Sequence, residues 1–213
     1  MTERSIIHLN IADFAVAIET NLAPALKGYP VVVAPQGAPR AVVYDMSEEA
    51  FRQGIRKGMP LACAKRMNRK IHILPPCFNR YQALMKDLIK ETLSFTPRIE
   101  SGRHDGHIFM DVTGSSRLFG PPTDVAHKLK KTFLRRFRLD PIWSVATNKL
   151  VAKVATRVVK PVGEYIVPPG DEQAFLGPLP LDLIPGLEKQ DLVRLYEFNL
   201  FKVSQARMLS RAQ

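Results

Sequence analysis

The chain has 213 residues, 46% of them hydrophobic and 24% charged, with a net charge of +11. This size and composition suit one large core plus a small second domain. No run of about 18 apolar residues is present, so the sequence predicts no membrane span. The N-terminal segment, MTERSIIHLN, lacks the apolar stretch of a signal peptide. Cys63 and Cys77 have neither a disulfide-scaffold pattern nor zinc-site spacing, and we expect a cytoplasmic protein.

The basic residues are concentrated in two blocks. Residues 117–160 contain eleven Lys or Arg and two acidic residues. Residues 52–70 contain seven Lys or Arg and no acidic residue. Such blocks are typical of proteins that bind a polyanion such as nucleic acid. Two solvated helix faces are the alternative interpretation, and charge alone does not decide between them.

The first half of the chain predicts short strands alternating with helices. A strand at 6–11 precedes a helix from Asp13 to about Leu26. Two apolar runs, 31–34 and 41–44, are separated by the turn-rich PQGAP and predict paired strands. Ser47 then predicts the N-cap of a helix that ends at Gly54. A short helix to about Met67 and a strand at 71–74 follow.

The second half predicts longer helices. Apolar residues recur at helical spacing in 78–95 and again from Val125 to Phe137. Strands are predicted at 107–112, 143–146 and 165–168, and Asn148 predicts the cap of a helix running to about Val159. Strands and helices in this order indicate an α/β (α+β) fold. A proline- and glycine-rich segment after Pro168 predicts a domain boundary near 168–170.

Two segments suggest contacts with phosphate groups. Lys149, Lys153, Arg157 and Lys160 recur at three- and four-residue spacing, so they share one helix face, which either follows a sugar–phosphate backbone or is simply solvated. Residues 184–200, IPGLEKQDLVRLYEFNL, have a helix-hairpin-helix pattern. There Gly186 would let backbone N–H groups approach a phosphate. An ordinary helical hairpin is the alternative, since Glu188 stands where a second glycine is usual.

The order of the motifs resembles the catalytic core of the Y-family (translesion) DNA polymerases. They are IIHLNIADFAVAIE, GIRKGMP, TPRIE, DVTG, SVATNKLVAKVAT, VKPVG and IPGL. The resemblance covers essentially the whole chain. It implies a palm formed by residues 1–13 and 79–168, fingers formed by 14–78, and a thumb with the helix-hairpin-helix formed by 169–213. It also implies that the family's C-terminal little-finger domain is missing from the 213 residues.

The same resemblance implies a degenerate metal site. Family members hold two divalent cations with an N-terminal aspartate and an adjacent Asp-Glu pair, and Asn10 stands at the first position. An amide lacks the charge that holds a hard cation. Counting back from DVTG, the pair is replaced by Gly106 and His107; counting forward from TPRIE, it is Asp105 and Gly106. At most one carboxylate of the pair is retained.

The nucleotide pocket departs from the family pattern in parallel. Where the family has the Tyr and Arg of Y-E-A-R, which bind the triphosphate, this chain has Glu48 and Phe51. A carboxylate repels a triphosphate, and a phenyl ring cannot replace a guanidinium. Ala15 stands at the aromatic position that excludes the ribose 2′-hydroxyl, and Lys160 alone keeps its implied phosphate contact. Together with GSSRLFGPP (114–122), these changes resemble the catalytically defective ImuB-type members.

Three functions follow as hypotheses. The first is a pseudo-polymerase that binds primer–template or damaged DNA and supports translesion synthesis with an active polymerase or a sliding clamp, without membrane contact or cofactor. The second is a weak, error-prone polymerase that uses Asp13 and Asp105 to hold Mg²⁺. The third is an interaction scaffold that does not bind DNA. A separate hypothesis is a small transition-metal site at His104, Asp105 and His107.

Overall fold

The computed structural model describes residues 3–209, in which short strands alternate with helices. The strands are β1 (Ile6–Asn10), β2 (Val31–Val33), β3 (Asp45–Met46), β4 (His72–Leu74), β5 (Ile99–Ser101), β6 (His107–Asp111), β7 (Ile142–Ala146) and β8 (Glu164–Ile166). The helices are α1 (Phe14–Leu22), α2 (Glu48–Arg52), α3 (Leu61–Met67), α4 (Phe78–Leu93), α5 (Ser116–Phe119), α6 (Pro122–Phe137), α7 (Lys149–Val158), α8 (Glu172–Leu176), α9 (Lys189–Glu197) and α10 (Val203–Ala206).

The larger sheet has five strands in the order β5-β6-β1-β7-β8. Its central strand β1 is antiparallel to both neighbours and fully buried, and β7 pairs with β8 in parallel. Successive side chains of a strand point to opposite faces. Ile7 and Leu9 accordingly share a core with α4 and α6, whereas Ile6 packs with α7. The sheet is therefore covered by α4 and α6 on one face and by α7 on the other.

The smaller sheet has three strands in the order β3-β2-β4. The three valines of β2 are fully buried, as expected for a central strand without a solvated face. A second apolar cluster joins this sheet to α2 and α3. Ser47 caps α2 as predicted, because its hydroxyl accepts a hydrogen bond from the Ala50 N–H.

The segment from residue 169 to residue 209 consists of short elements with little core. Leu181 is the one buried apolar residue in this part of the structure. It lies in a 3₁₀ turn, Leu181–Leu183, that precedes Pro185-Gly186 and α9. The predicted first helix of the helix-hairpin-helix is wrong, since this single turn stands in its place.

Two other sequence predictions need correction. The partner strand of β2 is Asp45–Met46 rather than residues 41–44, although the Tyr44 N–H also bonds to the Val33 carbonyl of β2. Residues 41–43 are held by a later loop instead, because the Val43 N–H bonds to the Met59 carbonyl and the Leu61 N–H to the Ala41 carbonyl. The first helix ends at Leu22, and a separate 3₁₀ turn, Pro24–Leu26, follows it.

The basic block at 117–160 does not form one surface. Its first part lies on α5 and α6, and its second part on α7, on opposite faces of the larger sheet. A straight duplex therefore cannot contact both parts through the same groove.

None of the helices between residues 3 and 209 is long and apolar enough to cross a membrane.

Candidate functional site

The end of β1 places Asn10 between two neighbouring strands. It is opposite His107 in β6 and Ile142 in β7. The residue is only 2% exposed, and its Nδ2 amide has no hydrogen-bond partner among the described residues. An amide side chain has N–H donors and a neutral carbonyl oxygen, but no negative charge. Asn10 therefore lacks the charge with which an aspartate at this position would hold a divalent cation.

A buried imidazole pair lies beside Asn10. His8 Nε2 is 3.0 Å from His107 Nδ1, and His8 Nδ1 is 2.9 Å from the Thr156 hydroxyl of α7. Burial lowers the pKa of both imidazoles, and the positive charge of Lys153 lowers both further. The two imidazoles are therefore uncharged near pH 7. They supply no negatively charged group beside Asn10.

The turn before β6 explains why Gly106 is a glycine. Its φ is +77°, and a Cβ atom there would lie 2.7 Å from the Ile11 carbonyl oxygen. The Gly106 carbonyl itself accepts a hydrogen bond of 2.9 Å from the Ile11 N–H. This close approach of two backbones leaves no room for a side chain. A carboxylate cannot replace Gly106 without moving β1 or the turn.

The side chains of the HDGH motif point in different directions. His104 Nδ1 is 3.2 Å from the Tyr44 hydroxyl, while His107 faces His8. Asp105 Oδ1 accepts from the His107 N–H at 3.1 Å. Across residues 3–209, no three His, Cys, Asp or Glu side chains are arranged to hold a metal ion. The metal site suggested for this motif was therefore wrong.

An open cavity of about 320 Å³ lies next to this region, between α2 and the end of α7. Its walls are formed by Asp13, Met46, Glu48, Phe51, Lys57, Arg157, Lys160 and Pro161. Five of these residues were singled out from the sequence, and the structure brings them together. Lys57 was missed, although it lies in the GIRKGMP motif.

The charges in the cavity oppose one another. Burial, with the neighbouring Asp45 carboxylate, raises the pKa of Asp13 to about 6, although Lys160 and Lys57 act in the opposite direction. Burial also lowers the pKa of the Lys160 ammonium, which Asp13 partly offsets. Since Asp13 adopts a left-handed conformation, with φ 48°, the turn itself holds its carboxyl beside these groups. The cavity is thus a mixed-charge site rather than a simple anion site.

The α2 residues at the cavity are engaged with neighbours. Glu48 forms an ion pair with Arg52, with Nε and Oε1 3.0 Å apart. The Arg56 guanidinium lies 3.9 Å from the centre of the Phe51 ring, and its Nη1 donates to the Phe51 carbonyl. A cation–π contact of this kind fixes the ring. Ala15, by contrast, is almost fully buried at 1% exposure.

A buried carboxylate behind the cavity was not foreseen from the sequence. Asp45 Oδ2 accepts from the Ala15 N–H at 2.9 Å and from the Val16 N–H at 3.4 Å. Its Oδ1 lies 2.7 Å from Lys57 Nζ. The one signal available was an acidic residue directly after an apolar run, AVVYD.

The basic residues along α7, Lys149, Lys153 and Arg157, differ in exposure and in their contacts. Lys149 is exposed and forms an ion pair with Glu100 of β5. Lys153 is half-buried near the imidazole pair. Arg157 Nη1 donates to the Leu183 carbonyl at 2.7 Å, which joins α7 to the turn before Gly186. Asn148 caps the helix as predicted, by accepting from the Val151 N–H.

The hairpin at Gly186 has an open backbone. Gly186 has a φ of +98°, and a Cβ atom there would meet nothing within 4 Å. Glu188 forms a capping box at the start of α9. Its side chain accepts from the Asp191 N–H, and the Asp191 carboxylate accepts from the Glu188 N–H. The side chain therefore has a structural role at the start of the helix.

Comparison with known proteins gives a consistent result. A model of the impB/mucB/samB family matches residues 9–157. The chain is 32% identical to a DNA polymerase IV of Neisseria meningitidis over 213 residues, which is all of this chain and 66% of that protein. It is 34% identical to a DNA polymerase IV of Halorhodospira halophila over 203 residues, covering 95% of this chain and 57% of that one.

Solved structures with the same architecture include a crystal structure of DinB from Sulfolobus solfataricus. Its TM-score is 0.87 at 25% identity, over 97% of this chain and 60% of that chain. For an insertion ternary complex of Dbh DNA polymerase the TM-score is 0.85 at 25% identity, over 97% of this chain and 61% of that chain. The chain thus spans between about half and two thirds of the length of the relatives that it matches.

Proposed function

Since the chain belongs to the impB/mucB/samB family of Y-family DNA polymerases, we propose that it is a DNA-binding protein of damage tolerance without polymerase activity of its own. The observation that carries the proposal is the buried Asn10 amide, whose N–H has no partner in the described part of the chain. Nucleotidyl transfer in this family needs carboxylates at this place.

Phosphoryl transfer of this kind uses two divalent cations about 3.5–4 Å apart, held by carboxylates. The corresponding surroundings in this chain are an amide, a glycine without room for a side chain, and a neutral imidazole pair. A pair of hard cations needs carboxylate charge, and none of these three groups supplies it. These replacements support a pseudo-enzyme.

DNA binding is assigned to the α7 face and the hairpin. Lys149, Lys153 and Arg157 follow one another along α7, and Arg157 bonds to the turn that precedes Gly186. Lysines, an arginine and open backbone amides contact phosphates without reading sequence. The resemblance to a DNA polymerase solved as a ternary complex supports DNA binding.

The remaining parts of the proposal follow from the family. We assign the larger sheet to a palm, residues 14–78 to fingers and residues 169–213 to a thumb. The degenerate pocket resembles the ImuB-type proteins, which implies an active polymerase or a sliding clamp as partner in the cytoplasm.

Primer extension tests the proposal. The purified chain is incubated with labelled primer–template and all four deoxynucleotides, with Mg²⁺ and separately with Mn²⁺, while DNA binding is measured on the same preparation. We expect salt-sensitive binding and no extension. Metal-dependent extension by the wild-type chain would refute the proposal.

An active enzyme is the second candidate, and the Asp13 carboxyl in the cavity beside Lys160 is the observation that favours it. It would use Asp13 and Asp105 to bind Mg²⁺. Extension that is abolished by Asp105→Asn, but not by Asp111→Asn at the other end of β6, would establish it.

A further inference from the structure

The N-terminus of α1 is occupied by a carboxylate from another element. Asp13, which immediately precedes the helix, makes no capping hydrogen bond with its side chain. Asp45 of β3 instead bonds to the Ala15 and Val16 N–H groups, which are the second and third amides of the helix. Free amides at a helix N-terminus, together with the helix dipole, form a ready-made site for an anion.

The same carboxylate also holds a cation of the cavity. Lys57 lines the 320 Å³ cavity, and its ammonium lies 2.7 Å from Asp45 Oδ1. The Asp45 side chain is 3% exposed, so the pair is shielded on that side from solvent. The Lys57 side chain is 54% exposed, so solvent screens part of this attraction. Asp45 nevertheless takes both helix amides and one side of the Lys57 ammonium before any anion enters the cavity.

We propose that Asp45 is a built-in substitute for a ligand phosphate and that it determines which ligands the cavity rejects. The inference rests on the proposed function, because it explains how the nucleotide pocket excludes a triphosphate. Glu48 and Phe51 remove attractive contacts, and Asp45 occupies the α1 amides and one side of Lys57, which leaves Lys160 and Arg157 as the other cations of the cavity. Its negative charge also acts on the adjacent Asp13, which makes the site less favourable for a further anion.

The test removes the carboxylate and measures binding of inorganic tripolyphosphate by calorimetry without metal. Asp45→Ala frees two amides and Lys57, and we expect tripolyphosphate to bind at least about tenfold more tightly than to the wild-type chain. Tripolyphosphate should also raise the unfolding temperature of this variant, because a ligand that binds only the folded chain stabilises it.

Asp111→Ala is the matched control. Asp111 also accepts hydrogen bonds from a backbone N–H and pairs with a basic residue, Arg4, but it does not line the cavity. This variant should bind tripolyphosphate as the wild-type chain does. In the wild-type chain Asp45 Oδ1 also accepts from the Met46 N–H at 3.0 Å. Where Asp45→Ala fails to fold, Asp45→Ser is used, since a serine hydroxyl provides an acceptor for that N–H without a negative charge.

The role of Asp45 and the proposed function are overturned by different results. Folded Asp45 variants with the wild-type affinity for tripolyphosphate would overturn the role of Asp45, as would equally tight binding to the wild-type chain or to Asp111→Ala. Such results leave the absence of primer extension intact. Primer extension by the wild-type chain, in contrast, would overturn the proposed function itself.

Discussion

The raised pKa of Asp13 makes a prediction about stability and pH. A carboxyl whose pKa is about 6 when folded and near 3.8 when unfolded binds a proton more tightly in the folded state. Its contribution to stability is therefore present below about pH 4 and is lost as the pH rises through 6. Asp13→Asn removes this loss, and we expect it to stabilise the chain at pH 7 by about 1–2 kcal/mol.

Denaturant unfolding of both proteins between pH 4 and pH 8 checks this. The difference between the variant and the wild-type chain should be smallest at the acidic end and largest above pH 6. A difference that is constant with pH would show that Asp13 titrates normally.

Gly106 gives a second prediction for a single residue. Alanine at φ +77° is strained, and its Cβ would also lie 2.7 Å from the Ile11 carbonyl oxygen. We expect Gly106→Ala to lower the free energy of unfolding by about 2–4 kcal/mol. Gly37→Ala is the control, because Gly37 has a φ of +78° but open space around it, and it should cost about 1–2 kcal/mol. Equal losses in urea unfolding would mean that the close backbone approach is unimportant.

At the scale of elements, the helices were more predictable than the short strands. The long helices α4 and α6 follow from apolar residues at helical spacing, and the side-chain caps at Ser47 and Asn148 follow from local chemistry. A partner strand for β2 after the turn followed from the sequence, but its bounds did not, because residues 41–43 are held by hydrogen bonds to a loop some 17 residues away and pairing with β2 begins only at Tyr44.

The candidate site shows the same limit. Asp13, Glu48 and Lys160 were identified from the order of the sequence motifs, and all three line the cavity. Asp45 was missed because its partners at Ala15 and Val16 are about 30 residues distant, and no local pattern encodes that contact. The unpartnered Asn10 amide likewise depends on the two strands beside it.

The separation of the basic residues onto two faces predicts which helix contacts DNA. Replacing Lys149 and Lys153 of α7 by alanine should weaken primer–template binding and reduce the magnitude of its salt slope by about 2. Replacing Lys131 and Arg135, which are exposed on α6, removes the same charge from the opposite face. This matched pair should bind DNA almost as the wild-type chain does. Equal losses would mean that attraction by net charge, rather than the α7 surface, controls binding.

For the whole molecule, a net charge of +11 overstates the expected electrostatic contact with DNA. Ion pairs already occupy Lys130 and Arg136 on α6, and the α6 face is turned away from α7. Each phosphate contact releases roughly one counterion, so only the basic residues on the binding face enter the salt dependence.

We therefore expect the logarithm of the binding constant to fall with the logarithm of salt concentration with a slope of about −3 to −5, which corresponds to about four phosphate contacts. Fluorescence anisotropy with primer–template DNA over a salt series measures this slope. A slope near zero with weak binding would favour the interaction scaffold that does not bind DNA. A slope near −10 would require both faces to contact DNA, and hence a bent or wrapped duplex.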